Sequence, residues 1–202
     1  RSMENSISLS LSSIPTFLIN LNESPERLHK STQILNSINQ PFQRFEGIKH
    51  STGVIGCGLS HLTLLRGLNP MTLILEDDIG LTGSYSKEIK IPKDADAIYL
   101  GVSDHGFVRG SPFGHRGVVL ASKHSEGYKR IYNMCSTHAI IYTSKRYIDV
   151  CVEVIDKCLK TNVAFDVGLA SIHRHFNILT PDDPWLYQTE QPEFTKESLP
   201  LV

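Results

Sequence analysis

The sequence predicts a single α/β domain with a central, mostly parallel β-sheet flanked by helices. Short apolar runs rich in β-branched residues alternate along the chain with segments of helical periodicity. Two of these runs, 16–21 and 71–75, end abruptly in polar residues, and such runs are typical of strands buried on both faces inside a parallel sheet. With 202 residues the chain is long enough for one domain with a substantial core.

The first half of the chain predicts a strand, a helix, a second strand and a second helix. The run 16–21 is a strand, and Pro25 occupies the first turn of the helix that follows it. Residues 42–48 offer another short strand. The segment 53–61 is a glycine-rich turn leading into a helix, but it lacks the Lys-Ser/Thr of a P-loop and the spacing of a dinucleotide fingerprint. We therefore expect its glycines to permit close packing of the helix against the sheet or a ligand.

The second half continues the alternation after the acidic strand. A helix-poor stretch follows that strand, and a long loop rich in Gly, Ser and His comes later; loops of such length are usually functional or mobile. The predicted elements are a strand at 96–101, the loop at 103–117, strands at 118–121 and 138–142, and helices at 146–160 and 165–175.

The two ends of the chain are predicted to lie outside the domain, which we place at 14–190. Arg1 and Ser2 before Met3 are typical of a cloning remnant, and residues 4–13 predict a loose arm or an edge segment. Residues 191–202 predict a tail or the start of a linker, so further domains of a longer chain are one expectation. No secretory signal is indicated.

The composition narrows the class of protein. Lys and Arg number 20 against 21 Asp and Glu, so the near-neutral charge does not favour a nucleic-acid partner. No apolar stretch approaches the roughly 20 residues of a membrane-spanning helix. The four cysteines show no Cys-x-x-Cys spacing, which favours reduced thiols and a cytoplasmic location, rather than a zinc knuckle or a redox motif.

Three consecutive carboxylates at the end of an apolar strand are the main candidate site. Glu76, Asp77 and Asp78 follow the run 73–75, and ligands of open α/β sheets bind outside the carboxyl ends of the strands. Three adjacent acids repel one another, and a divalent cation is the simplest compensator. The alternative is a solvated turn, and this stretch alone leaves both interpretations open.

Several motifs, in the order in which they occur, resemble glycosyltransferase family 25, the lipopolysaccharide and hydroxylysine-type glycosyltransferases with a GT-A fold. The resemblance covers about residues 15–188. It is carried by Ile19-Asn20-Leu21 with Arg27, by Gly56-Cys57-Gly58-Leu59-Ser60-His61, by Glu76-Asp77-Asp78 as a version of the DxD motif, by Tyr99-Leu100-Gly101, on fewer identical residues by Thr137-His138-Ala139 and Asp166, and more loosely by the closing segment from Pro184 to Gln188.

The resemblance implies a Rossmann-like nucleotide-diphospho-sugar transferase that moves a hexose from a nucleotide sugar, a UDP-hexose, to a glycan or glycoprotein acceptor. It implies Mn²⁺ or Mg²⁺ as cofactor, with Asp78 as the first metal ligand, and with Glu76 or Asp77 holding the ribose or a metal-bound water. The donor-binding set is then Ile19, Asn20, Leu21, Arg27, Ser60, His61, Glu76, Asp77 and His138, and the metal set is Asp78, Glu76 and His173.

Asp166 is the candidate base, because an inverting transfer needs a group that takes the acceptor proton. Each of three residues also has an ordinary structural interpretation. Arg27 is equally a surface helix residue, Asp166 an Asp stabilised by a helix N-terminus, and His173 a hydrogen-bonded core histidine.

Two other functions are consistent with acids at a strand end. One is a Mg²⁺-dependent phosphotransfer domain, although Asp78 is followed by Ile79 and Gly80 rather than by the second Asp of an Asp-nucleophile phosphatase. The other is a non-catalytic module that binds nucleotide sugars or glycans. A serine hydrolase is disfavoured because the sequence has no Gly-x-Ser-x-Gly nucleophile elbow.

Overall fold

An eight-stranded sheet runs through the centre of the protein in the computed structural model, which describes residues 5–110 and 117–202. Two short two-stranded sheets accompany it. The strands are β1 (Ser6–Ser10), β2 (Thr16–Asn20), β3 (Gln43–Glu46), β4 (Thr72–Glu76), β5 (Ile79–Leu81), β6 (Glu88–Pro92), β7 (Ala97–Tyr99), β8 (Ala121–Ser125), β9 (Tyr128–Ile131), β10 (Ala139–Tyr142), β11 (Ile178–Pro181) and β12 (Leu186–Gln188). The helices are α1 (Pro25–Ser37), α2 (Gly53–Leu65), α3 (Lys145–Thr161), α4 (Phe165–Ile172) and α5 (Pro192–Thr195).

The order of strands in the main sheet is β3-β2-β4-β10-β7-β11-β9-β8. Strand β2 is parallel to β3 and β4, and β11 is parallel to β7, whereas β10 and β9 are antiparallel to their neighbours. Six of the eight strands therefore point the same way. The predicted α/β class with a mostly parallel sheet between helices is confirmed.

Strand β4 lies in the middle of the sheet, and its residues alternate between two cores. Ile74 packs with the cluster that includes residues of α2, α3 and α4, whereas Leu73 and Leu75 pack with the cluster that includes Leu35 of α1 and Ile89 of β6. Successive side chains of a strand point to opposite faces, so this division follows from the sheet geometry. Both faces of β4 are buried, as the continuous apolar run predicts.

Segments near both ends of the described residues pack against the domain. Strand β1 pairs with β6 in antiparallel register, and Leu11 just after it is buried, so residues 6–11 form an edge ribbon rather than a loose arm. Near the C-terminus, Thr195 and Leu199 are also buried. Residues 111–116 of the predicted loop lie outside the described residues.

Candidate functional site

The three acids lie at an edge of the sheet where several elements meet. Strands β2 and β4 are parallel neighbours, and Ile19 is paired with Glu76, so both strands end at this edge. Strand β10 runs the other way and pairs Ala139 with Leu75, so it begins here, and Thr137 lies just before it. The contacts described below come from β2, β4, α1, α2 and β12, and from Thr137 just before β10.

Asp77 is held by residues of β2 and α1. Its Oδ2 accepts a hydrogen bond of 2.7 Å from Nδ2 of Asn20, and its backbone carbonyl accepts one of 2.6 Å from the hydroxyl of Ser31. Nε of Arg27 lies 3.0 Å from Oδ1, as an ion pair rather than an aligned hydrogen bond. Burial raises the pKa of Asp77, although Asn20 and Arg27 oppose that effect. Asp77 therefore links the ends of two strands to the first helix.

Asp78 is the least satisfied of the three acids. Nε2 of Gln188 donates a hydrogen bond of 3.1 Å to its Oδ2, and Arg27 lies 3.7 Å from the same oxygen. The other oxygen, Oδ1, is buried and has no hydrogen-bond partner among the described residues. Burial, together with the charge of Glu76, raises the pKa of Asp78 to about 6. A bound cation would stabilise the ionised form of this carboxylate.

Glu76 is in the opposite state, because three groups converge on its carboxylate. Its Oε2 lies 3.3 Å from Sγ of Cys57, 3.2 Å from Nε2 of His61 and 3.3 Å from the hydroxyl of Thr137. Burial raises the pKa of Glu76, but the hydrogen bond and charge of His61 outweigh that effect, and the pKa is lowered to about 2. Glu76 is therefore held as an ionised carboxylate.

Two clefts meet at Glu76. The first, of about 540 Å³, is lined by all three acids together with Arg27 and residues 47–51. The second, of about 450 Å³, is lined by Glu76, Thr137 and Asp166 among others. Residues that line both clefts are Gly53, Cys57 and Glu76. This arrangement offers two neighbouring binding spaces with a carboxylate between them.

The glycine-rich segment 53–61 forms the wall between β4 and the first cleft, and it does so as the start of α2 rather than as a turn before it. A Cβ on Gly56 would lie 2.5 Å from the carbonyl oxygen of Ile48, so only glycine allows this approach. The hydroxyl of Ser60 accepts a hydrogen bond of 2.8 Å from the backbone N–H of Ile48. Gly56 does permit close packing of the helix, although its contact is the loop at Ile48 rather than the sheet.

Most of the predicted donor-binding residues gather at the first cleft. Ile19, Leu21, Arg27, Ser60 and the three acids line it. Behind this wall, Asn20 and His61 are buried and reach the cleft through their bonds to Asp77 and Glu76. His138 is buried as well, and its Nδ1 lies 2.8 Å from the hydroxyl of Ser136.

Asp166 and His173 occupy different surroundings although they lie on consecutive segments. Asp166 is in the first turn of α4, lines the second cleft, and accepts a hydrogen bond of 2.9 Å from the backbone N–H of Val167. His173 is fully buried in the core: Nδ1 accepts from the backbone N–H of Met134, and Nε2 lies 3.1 Å from the hydroxyl of Tyr99. Burial lowers the pKa of His173 to about 3. The structure thus does not bring His173 to the acids, and both of its ring nitrogens are already engaged.

Three further site residues are not in the predicted set. They are Cys57 and Thr137, which bond Glu76, and Gln188, which bonds Asp78. The first two belong to the motifs that carry the family resemblance, so the signal was present in the sequence. Gln188 belongs to the more loosely matching segment 184–188, and it reaches Asp78 through the pairing of β12 with β5, which the motif alone does not indicate.

Comparisons with known proteins do not assign this site to a family. No protein-family model matches the chain, and no curated protein matches it. Among solved structures, the chain is similar to CTP:phosphocholine cytidylyltransferase from Streptococcus pneumoniae, at 8% sequence identity, over 86% of this chain and 92% of that one, with a TM-score of 0.42. At this identity and score the likeness assigns no activity. Membership of glycosyltransferase family 25 stays a prediction from motifs.

Within residues 5–110 and 117–202, no helix combines the length and the apolar character needed to cross a membrane.

Proposed function

We propose that the protein is a cation-dependent glycosyltransferase that takes a hexose from a nucleotide sugar, a UDP-hexose, and transfers it to a hydroxyl group of a glycan or glycoprotein. The observation that carries this proposal is the buried, unpartnered Oδ1 of Asp78 at a cleft that also holds Arg27. The cleft offers a cation contact and a phosphate contact side by side. The motifs shared with glycosyltransferase family 25 support the choice of donor.

The residues present fit a hard divalent cation such as Mg²⁺ or Mn²⁺. Carboxylate oxygens are the ligands that these ions prefer, and Mg²⁺ is commonly held by one or two carboxylates together with substrate phosphates. Asp78 supplies such an oxygen, whereas Glu76 and Asp77 are already bonded by protein groups. We therefore assign the cation contact to Asp78 and leave His173 out of it. When bound, the cation would neutralise charge on the departing nucleoside diphosphate.

Arg27 would contact the donor phosphates. Its guanidinium is 40% exposed and lies between Asp77, Asp78 and the exposed carboxylate of Glu190. A phosphate offers the bidentate geometry that an arginine favours, and it would compete with Glu190 for the guanidinium. Arg27 thus has both a structural contact, to Asp77, and an exposed side available to a ligand.

The second cleft would take the acceptor. Asp166 lines it together with Glu76, so a carboxylate is present to receive the proton of an acceptor hydroxyl. Glu76 lines both clefts and stays ionised, so it would stabilise positive charge that develops on the transferred sugar. Asp166 is therefore the proposed base, and Glu76 a proposed electrostatic contact.

A thermal-shift screen tests the donor half of this proposal. UDP-sugars and other nucleotide sugars are added with Mn²⁺, with Mg²⁺ or with a chelator, because a ligand that binds the folded state raises the melting temperature. We expect a UDP-hexose to raise it only when the cation is present, and Asp78→Asn to abolish the cation-dependent part. Asp149→Asn is the matched control, since Asp149 is exposed on α3.

Turnover is tested separately by release of UDP and by transfer to glycan acceptors. Asp166→Asn should keep the thermal shift and lose transfer. If phosphate is released from small phosphoesters and no UDP is released from any UDP-sugar, the protein is a phosphotransfer enzyme instead. Donor binding without release of UDP under any condition would make it a binding module.

A further inference from the structure

Beside the contact at Asp78, a second group of potential metal ligands surrounds Oε2 of Glu76. It consists of Cys57, His61 and Glu76, hereafter the Cys-His-Glu cluster, whose ligand atoms lie within 4.8 Å of one another. Cys57 and His61 are four positions apart on α2, so both side chains lie on the same face of that helix, and Glu76 comes from the end of β4. The cluster offers one thiol, one imidazole and one carboxylate.

We propose that the Cys-His-Glu cluster binds a soft divalent cation, Zn²⁺, at a site distinct from the hard-cation contact at Asp78. Thiolate and imidazole ligands select zinc, whereas carboxylate and phosphate oxygens select Mg²⁺ and Mn²⁺. The two sites therefore differ in chemistry although they are close in sequence. This inference does not depend on the proposed transfer reaction.

Two of the three ligand–ligand distances in the cluster are close to those of a tetrahedral zinc site. Zinc lies about 2.3 Å from sulfur and about 2.0–2.2 Å from nitrogen and oxygen, so the ligand–ligand edges are about 3.4 Å for nitrogen to oxygen and about 3.6 Å for sulfur to oxygen. In the protein these edges are 3.2 Å from His61 to Glu76 and 3.3 Å from Cys57 to Glu76. The third pair, Cys57 and His61, lies within 4.8 Å, so side-chain adjustments would let all three ligand atoms reach one ion.

The fourth position of such a site would be open. Cys57 and Glu76 line both clefts, so a water molecule or a ligand in either cleft could reach an ion held between them. Three protein ligands and an open position distinguish catalytic-type zinc sites from closed structural ones. The cluster therefore has the ligand number of an accessible site.

Binding requires a defined movement of protons. The thiol of Cys57 now donates to Glu76, and on coordination its proton would leave to solvent while the sulfur lone pair binds the metal. Nδ1 of His61 has no hydrogen-bond partner in the described part of the chain, and a proton on Nε2 would have to leave that atom, for Nδ1 in a neutral ring, before Nε2 could bind the metal. Because that Nδ1–H would then be unsatisfied, we expect weaker binding than at a zinc site with a complete second shell.

Titration with Co²⁺ alone, without any nucleotide sugar, tests the site. Co²⁺ replaces Zn²⁺ in tetrahedral sites, and its bond to a thiolate gives a charge-transfer absorption band in the near ultraviolet. In the wild-type protein we expect the band to saturate at one equivalent of Co²⁺ and to disappear when Zn²⁺ is added. In Cys57→Ser the band should be absent. Glu76→Gln should weaken Co²⁺ binding at least tenfold.

Cys135→Ser is the matched control, because Cys135 is a buried thiol that also lines the second cleft but lies outside the cluster. It should keep the band. Circular dichroism of each variant establishes that it is folded, and Cys57→Ala serves as a second variant if Cys57→Ser is not. A wild-type protein with no thiolate band, or a band that persists in folded Cys57→Ser, would overturn the proposal, whatever the outcome of the UDP-sugar experiments.

Discussion

Nδ2 of Asn20 donates a hydrogen bond of 2.7 Å to Oδ2 of Asp77, and this bond joins the ends of the two adjacent parallel strands β2 and β4. Asn20 is only 1% exposed, and its Oδ1 accepts a hydrogen bond of 3.0 Å from Nε of Arg44 on β3. One amide therefore connects three strands at the edge where the clefts open. The position of Asp77 depends on this amide as well as on Arg27.

Asn20→Ala is expected to lower the free energy of unfolding by about 1–3 kcal/mol, because it leaves a buried oxygen of Asp77 and a donor of Arg44 without their partner. Urea denaturation followed by circular dichroism measures the change. Asn36→Ala is the control: Asn36 is exposed on α1, and its removal should change stability by less than about 0.5 kcal/mol. Equal midpoints for both variants would show that the amide contributes nothing.

Asp78→Asn is expected to stabilise the protein at pH 7–8 in the absence of a divalent cation. The pKa of Asp78 is raised from 3.8 to about 6 in the folded protein, so its ionised form is destabilising above about pH 6 and has no such effect below about pH 4. The wild-type protein should therefore lose stability relative to the variant as pH rises between these values. The difference should reach about 1–3 kcal/mol.

Denaturation of both proteins from pH 4 to pH 8 measures this difference. If the variant is as stable as the wild-type protein at pH 8, or less stable, the prediction is wrong, and a neighbouring positive charge already compensates the charge of Asp78. The same substitution removes the proposed cation contact, so added Mn²⁺ should stabilise the wild-type protein more than the variant.

Glu76→Gln is expected to have the opposite effect on stability. The pKa of Glu76 is lowered from 4.5 to about 2, so its ionised form stabilises the folded protein above about pH 4.5, and this contribution is lost as pH falls towards 2. An amide of the same shape would place an NH₂ group against Cys57, His61 or Thr137, which now donate to the carboxylate.

We expect Glu76→Gln to lower the unfolding free energy at pH 7 by roughly 1–3 kcal/mol. The unfolding free energies of Glu76→Gln and Asp78→Asn are measured under the same conditions. The two variants can be compared directly, because the two acids are two positions apart in one segment. If the free energy of unfolding changes in the same direction in both variants, then Glu76 is not the satisfied acid and Asp78 the unsatisfied one.

The parts of the fold that could be predicted from the sequence are those whose side chains report burial directly. The apolar run of β4 and the helical spacing of α3 are of this kind, and both elements lie within a residue or two of their predicted bounds. Strand β9 is different, because Lys129 and Arg130 interrupt its pattern. Lys129 is nevertheless buried, since its ammonium donates to the carbonyls of Asp182 and Leu199. Such tertiary compensation is not visible in local sequence.

The candidate site shows the same limit. The three acids at the end of β4 could be identified because they follow one another, but their different states could not. What separates Glu76 from Asp78 is the set of partners brought by α2, β10 and β12, which are 15 to 110 residues away in sequence. The expected place of His173 among the metal ligands has a related cause. The sequence of a helical segment does not show whether its histidine faces a cleft or the core.

His173→Ala is expected to destabilise the protein without changing its response to Mn²⁺ and a UDP-sugar. The ring fills a fully buried position and bonds the backbone of Met134 and the hydroxyl of Tyr99, so its loss leaves a cavity and two unsatisfied groups, at a cost of roughly 2–4 kcal/mol. Because His173 has no contact with Asp78 in the structure, the cation-dependent shift in melting temperature should keep its size. His175→Ala, the exposed histidine of the same turn, is the control and should leave both quantities unchanged. A folded His173→Ala protein that has lost the Mn²⁺-dependent shift would place the ring at the metal and overturn the assignment of the cation contact to Asp78 alone.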